Sequence, residues 1–163
     1  IGKVDGPWFY QQQNLGFNFR MSDIHAILGV SQIRKIKKFL KIRQKIAKLY
    51  IDKLSKYPIK FQKVNKDYFS SYHLFIIRVS KNIRLKLFNY LRKKKINVNL
   101  HYIPIYKHIF YKKKFNFKNN YLKNSEEYYK SAISIPIYPG LKKKNQIFVI
   151  KIISNFFKNE KKN

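Results

Sequence analysis

The residues able to do chemistry on their own are few. Seven acidic residues are scattered through 163, and only Glu126 and Glu127 adjoin. Neighbours on a helix point in different directions, so no carboxylate pair is expected there. Cysteine is absent, which removes disulfides and thiolate metal sites. The chain has no phosphate-cradling glycine loop, no metal-spaced cluster of His, Asp and Glu, and no G-x-S-x-G elbow. Four histidines remain: His25, His73, His101 and His108. The first two are expected to be core residues or satisfied polar groups. His101 has the better claim to function, because it ends an alternating segment and opens an aromatic loop, where site residues concentrate.

Those residues must be positioned by a packed chain. Hydrophobic residues make up 45% of it and aromatics 17%, enough for one sizeable core or two small ones. No run of about 18 uncharged apolar residues occurs, so no membrane span is expected. The opening "IGKVDGPWFY" has no signal-peptide pattern, and a cytoplasmic location is expected. Ile1 is not an initiator methionine, so the chain is expected to be a piece of a longer one.

The formal net charge of +30 would suggest a polyanionic partner. Composition offers a simpler source: Lys, Asn, Ile, Phe and Tyr are enriched together, the set that A/T-rich codons specify. Lysine also far outnumbers arginine, the better residue for bidentate phosphate and guanine contacts. The triplets at 93–95, 112–114 and 142–144 lie between apolar segments, as solvated turns and helix ends do. No specific nucleic-acid partner is expected.

Ser22 is placed to cap a long helix running to about Leu54. Ile24, Ile27, Leu28, Phe39, Ile42, Ile46, Leu49 and Tyr50 form one broad face, while Arg34, Lys37, Lys38, Lys41, Lys45 and Lys48 form the other. A polar connection follows Tyr57-Pro58 to about Ser71. "YHLFIIRV" (72–79) suits a buried strand, and Ile83, Leu87 and Leu91 suit a helix. "INVNL" (96–100) alternates like a second strand, and "HYIPIYKHIFY" (101–111) is the aromatic loop. "SEEYYKSAI" (125–133) reads as a short helix opened by Ser125, with both glutamates facing its positive end. The prolines of "SIPIYPG" require extension or turning, and a last amphipathic helix spans about Asn145–Phe157. This order predicts a small α+β unit behind one long helix.

The word order of residues 6–36, "GPWFYQQQNLGFNFRMSDIHAILGVSQIRKI", resembles a segment of the DegT/DnrJ/EryC1/StrS family of pyridoxal-phosphate-dependent sugar aminotransferases. "YHLFIIRV", "INVNLHYIPIY" and "SEEYYKSAISIPIYPGL" resemble three more family landmarks in the right order. The "PWFYQQQNLGFN" lead-in is most similar to the branch that makes the UDP-linked 4-amino-sugar precursor of pseudaminic acid. The resemblance implies the C-terminal part of a fold-type I transferase: residues 1–21 as the tail of the large cofactor domain, 22–56 as the connecting helix and 57–163 as the small α+β domain. It also implies a homodimer with shared active sites, a Schiff-base lysine upstream of the matched segment, and amino transfer from glutamate to the C4 ketone of a UDP-linked 4-keto-6-deoxy sugar.

The resemblance further implies roles for particular residues. Asn18 would reach across the dimer to the phosphate of the partner's pyridoxal phosphate, with Gly16 letting the backbone turn closely; the plain alternative is a loop asparagine capping a turn. Arg20 would hold the substrate's diphosphate or brace the loop. His101 and Tyr102 would contact the sugar nucleotide or pack the loop. Lys95 stands where relatives usually show glycine, so the preceding helix is expected to end without its usual positive-φ residue. Tyr106 and Ile109 stand where histidine and proline are usual. A non-catalytic family member and a basic nucleic-acid-binding module are the competing functional classes. If the charge is compositional, DNA binding by the protein should be weak and should vanish between low and physiological salt in an electrophoretic shift titration; a sequence-preferring complex at physiological salt would contradict this.

Overall fold

The computed structural model describes residue 7, residues 13–117 and residues 122–160. Most of the lead-in "GPWFYQQQ" therefore lies outside the described residues. The chain divides into two compact units, residues 1–35 and 36–163.

A 32-residue helix, α1 (Asp23–Leu54), runs through that division. Ser22 caps it as expected: its carbonyl accepts the first helical N–H, from Ala26 at 2.9 Å, and its Oγ lies 2.8 Å from His25 Nδ1. His25 is thus a satisfied polar residue on an exposed helix start. The expected apolar face is buried only in its later half. Ile46 and Tyr50 are buried and Ile42 is half-buried, whereas Ile24, Ile27 and Leu28, which belong to the first unit, are exposed. The six basic residues predicted for the other face are all exposed.

In the second unit the remaining elements are β1 (Lys60–Phe61), β2 (Phe75–Arg78), α2 (Lys81–Lys93), α3 (Ile109–Phe115), α4 (Lys123–Ser131), β3 (Ala132–Ile135) and α5 (Lys143–Glu160). The sheet is antiparallel in the order β1-β2-β3, and Phe75 pairs with Ile135 while Arg78 pairs with Ala132. All four residues of β3 are buried, and β2 alternates buried with half-buried. Around them the core gathers Tyr50 and Leu54 of α1, Leu87 and Leu91 of α2, and Val149, Ile153 and Phe157 of α5. Polar side chains lock these layers. Buried Gln146 of α5 donates to the Ile46 carbonyl at 2.8 Å, and Tyr50 Oη donates to the Pro136 carbonyl at 2.9 Å. Burial pushes the Tyr50 hydroxyl pKa up, so it stays a donor across the ordinary pH range.

Several expectations are corrected. "INVNL" is not a strand. Ile96 and Val98 are buried in alternation, but the segment joins the sheet only through an isolated bridge, Asn99 to Ser134. The ladder stops at this pair because the residues two places either side of Ser134 have no N–H to give: Pro136 lacks one, and that of Ala132 donates to the Tyr128 carbonyl. His73 is not in a strand but in the exposed bend before β2, where Arg43 donates to the carbonyls of Tyr72 and His73. The connection to Ser71 contains the short strand β1. The aromatic loop carries a single 3-10 turn, Ile105–Lys107, and then α3.

The expectation for Lys95 is overturned in an informative way. Helix α2 does end with a left-handed residue, and it is Lys95 itself, at φ 59°. Its N–H bonds to the Arg92 carbonyl at 2.9 Å and the next N–H, of Ile96, bonds to Leu91 at 3.0 Å, the paired bonds of a Schellman ending. Buried Ile96 supplies the apolar contact that accompanies such endings, so packing and hydrogen bonds override the preference for glycine. The left-handed region costs a non-glycine residue about 1–2 kcal/mol, and glycine's extra freedom in the unfolded chain offsets about 0.5–1 of it. Lys95→Gly should therefore raise stability by about 0.5–1 kcal/mol, seen as a higher denaturant midpoint at unchanged slope; a lower midpoint would contradict this.

Candidate functional site

In the first unit, Asn18 and Arg20 occupy an exposed approach to α1. The Phe19 N–H bonds to the Phe17 carbonyl and the Arg20 N–H to the Asn18 carbonyl, each at 3.0 Å, giving two successive three-residue turns with Asn18 at the centre of the first. The side chains of Phe17 and Phe19 flank it, their rings 5.6 Å apart. Gly16 does not need to be glycine here: its φ is not in the left-handed region, and an added Cβ would meet nothing within 4 Å.

In the second unit, His101 and Tyr102 lie together at the start of the aromatic loop, with rings edge-on at 4.7 Å. The Asn99–Ser134 bridge decides where His101 stands. Two residues beyond the bridge, its Nδ1 meets the buried Ser134 hydroxyl of β3 at 2.7 Å. Tyr128 Oη of α4 donates to the His101 carbonyl at 3.2 Å. With Nδ1 engaged, Nε2 is the nitrogen that remains for a ligand. Tyr102 is 72% exposed, so its hydroxyl is displayed to solvent.

The loop walls a cavity of about 540 Å³. Residues 102–106 form one side; Leu122, Asn124, Ser125 and Tyr128, around the start of α4, form the other. Aliphatic walls with a few amides and hydroxyls suit a small amphiphilic ring.

Beneath this loop lies a cluster that sequence reasoning missed. Glu126 is only 4% exposed, and among the described residues no other charged residue is buried. Tyr106 Oη donates to its Oε1 at 2.6 Å, and Lys107 Nζ lies 2.7 Å from Oε2. Lys130, one turn on, is 4.0 Å from the same oxygen. Glu126 does stand in the first turn of its helix, as expected, but it is buried and paired there rather than solvated. The reason is an earlier helix start: α4 begins at Lys123 rather than Ser125, and Glu126 turns inward while Glu127 stays exposed. Scarcity was the available signal, since an acid inside an aromatic motif stands out in a chain with 37 basic and 7 acidic residues. Two arginines grip the other end of α4: Arg78 Nε donates to Ser131 Oγ at 2.9 Å, and Arg84 reaches the Lys130 carbonyl.

Every described lysine except Lys107 is exposed, and Lys107 is held by Glu126. Among the described residues no three His, Cys, Asp or Glu could share a metal, and no helix is long and apolar enough to cross a membrane.

This α+β fold, a small sheet among helices behind one long helix, is that of the C-terminal part of a fold-type I aminotransferase. Its solved neighbours include DesV of S. venezuelae, with a TM-score of 0.82 at 22% identity over 93% of this chain and 40% of that one. Another is PseC of Helicobacter pylori, described as an aminotransferase involved in the biosynthesis of pseudoaminic acid, with a TM-score of 0.79 at 26% identity over 96% of this chain and 43% of that one. Residues 2–154 match the DegT/DnrJ/EryC1/StrS aminotransferase family, and the chain belongs to it. A curated relative, the UDP-4-amino-4,6-dideoxy-N-acetyl-beta-L-altrosamine transaminase of Campylobacter jejuni, is 34% identical over 146 residues, which are 87% of this chain and 38% of that protein. The chain thus spans about 40% of the length of such relatives.

The Glu126 cluster has a defined pH window. Hydrogen bonding to Lys107 first, and to Tyr106 second, holds the Glu126 carboxyl below its usual 4.5. Its contribution is full above that value and is lost as pH falls through the lowered one. Burial first, and the adjoining carboxylate second, raise the Tyr106 hydroxyl above its usual 10, so on the alkaline side the contribution lasts to that raised value. Thermal midpoints of the protein and of Glu126→Gln, measured from pH 3 to 7, should differ by a steady gap above about pH 4.5 and converge as the pH falls below it. A constant offset across that range would mean that Glu126 does not titrate as a paired carboxylate.

Proposed function

We propose that this chain forms the C-terminal portion of an enzyme that moves an amino group from glutamate to the C4 ketone of a UDP-linked 4-keto-6-deoxy sugar, in surface-glycan biosynthesis of the pseudaminic acid type. The observation that carries the reading is the fastened His101-Tyr102 pair at the edge of a cavity of about 540 Å³, in a chain 34% identical to a transaminase named for such a UDP-sugar. A cytoplasmic location goes with that reading.

Solved relatives include forms with pyridoxal phosphate and with pyridoxamine phosphate. When bound, the cofactor supplies the electron sink through which an amino group leaves one carbon and is delivered to another. The described residues fit a contact at its edge and not its covalent attachment. Lys107 is committed to Glu126 and the other described lysines face solvent, so on this reading the Schiff-base lysine comes from the rest of the enzyme. Asn18, an exposed neutral donor at the centre of a tight turn, suits a phosphate oxygen presented by the partner subunit of a homodimer. Arg20 pairs with the substrate's diphosphate, where a planar guanidinium meets two oxygens at once. His101 Nε2 and the Tyr102 hydroxyl orient the sugar nucleotide, whose ring and substituents the cavity receives.

In the complete enzyme, Asn18→Ala should leave the dimer folded and weaken cofactor retention by about 1.5 to 3 kcal/mol, roughly ten- to hundredfold. The residue should also act in trans. Mixing Asn18→Ala subunits with subunits lacking the Schiff-base lysine gathers both lesions in one site of the heterodimer, so the other site should regain activity. No recovery despite demonstrated subunit exchange would count against the cross-subunit role. A complete enzyme with no lysine at the cofactor would instead be the non-catalytic family member.

A further inference from the structure

We propose that Glu126 is a positioning residue for the acceptor side of this site: it fastens the far end of the 101–107 loop to α4, and so sets where Tyr102 and the cavity wall meet the nucleotide sugar. The inference rests on the functional reading above and adds a residue to it.

The loop is tied down at both ends and bare between them. At its start His101 is held by Ser134 of β3 and Tyr128 of α4. At its end Tyr106 and Lys107 are both held by Glu126. Between these ties Tyr102, Ile103 and Ile105 are exposed, and among the described residues their side chains make no hydrogen bond or ion pair. The two ends are linked by a stiff piece of backbone. The Lys107 N–H bonds to the Pro104 carbonyl at 2.9 Å and the His108 N–H to the Ile105 carbonyl at 3.0 Å, closing the 3-10 turn on Tyr106. A displacement of Tyr106 is therefore carried to Pro104 and Ile105, both of which line the cavity.

The chemistry of the tie calls for a full-length carboxylate. Oε1 accepts from the Tyr106 hydroxyl while Oε2 faces the Lys107 ammonium, so one group fixes two successive loop residues. Lys107 is further confined by the Tyr129 ring, 5.2 Å from its Nζ. A charge this buried needs close partners, and breaking such a pair is costly even where forming it adds little stability. An arrangement of that kind serves geometry more than net stability. A glutamine keeps an acceptor for Tyr106 and loses the attraction for Lys107; a phenylalanine at 106 removes the hydroxyl and keeps the ring.

The test uses the complete holoenzyme with Glu126→Gln and, as a second variant that leaves the ion pair in place, Tyr106→Phe. Steady-state kinetics of amino transfer to the nucleotide sugar, the separate transfer from glutamate to the cofactor, and hydrogen exchange of residues 102–105 without substrate are measured for each. The expected result is a KM for the nucleotide sugar raised about tenfold by Glu126→Gln and less by Tyr106→Phe, because displaced substrate contacts are weakened. The glutamate half of the reaction and cofactor retention should stay within about twofold. Exchange at 102–105 should quicken while exchange at β3 stays as it was. Loss of both half-reactions together with a general fall in protection would overturn the proposal in favour of a purely structural role, and so would an unchanged KM with unchanged exchange. If the unaltered enzyme transfers no amino group to any nucleotide keto sugar, the functional reading fails, and exchange at 102–105 decides the loop tie by itself: quickening upholds it, no change overturns it.

Discussion

The pairing of β2 with β3 is the constraint to which the second unit is registered. All four residues of β3 are buried, so a slip of one residue would send Ile133 and Ile135 to the opposite face and break the core at its centre. Ser134 is fixed by that register, and it does two things with two parts of itself. Its backbone forms the bridge to Asn99, and its hydroxyl meets His101. Helix α4 runs directly into β3, so the same strand also sets the phase of Tyr128 and Glu126 on the helix before it. The start of the aromatic loop, His101, takes its place from these neighbours.

How much of this was legible depended on the kind of force involved. Helix α1 was readable because a cap and a long run of amphipathic spacing agree, and α2 and α5 were readable from apolar spacing alone. The C-terminal part of a fold-type I transferase was readable from ordered motifs, not from periodicity. "INVNL" was misread because alternation of burial and membership of a ladder are different properties: Ile96 and Val98 satisfy the first, while Pro136 and the engaged N–H of Ala132 deny the segment further partners for the second. The place of Glu126 in the first turn of its helix was legible, but its burial was not, because its neighbours in space, Tyr106 and Lys107, lie about twenty residues away in sequence and no local rule reports such a meeting. His101 could be singled out as a loop residue after an alternating segment, but its partner Ser134 could not.

The basic residues divide by environment in a way composition hides. Among the described residues every lysine but Lys107 is exposed, which is what a drift of codon usage across tolerant surface positions would leave behind. Arginine behaves differently. Arg43 holds two consecutive carbonyls ahead of β2, Arg78 holds Ser131, and Arg84 reaches the end of α4. At these three positions a guanidinium reaches acceptors that join separate elements, so replacement by lysine would loosen a junction, whereas Arg34 on the exposed face of α1 is solvated like the lysines.

Among the described residues, three with side chains, Tyr72, Lys95 and Asn116, hold left-handed backbone angles. Only five glycines remain in the whole chain. Left-handed angles are glycine's usual territory, so a chain with little glycine meets that demand with residues that have side chains. Each such position is a place where the fold tolerates an awkward residue because neighbouring hydrogen bonds and packing insist on the turn. At Lys95, whose side chain is exposed, glycine would remove that strain without any change of architecture, whereas at Tyr72 it would also take away a ring packed against Phe75, so the same backbone angle is a place to gain robustness in one position and to lose it in the other.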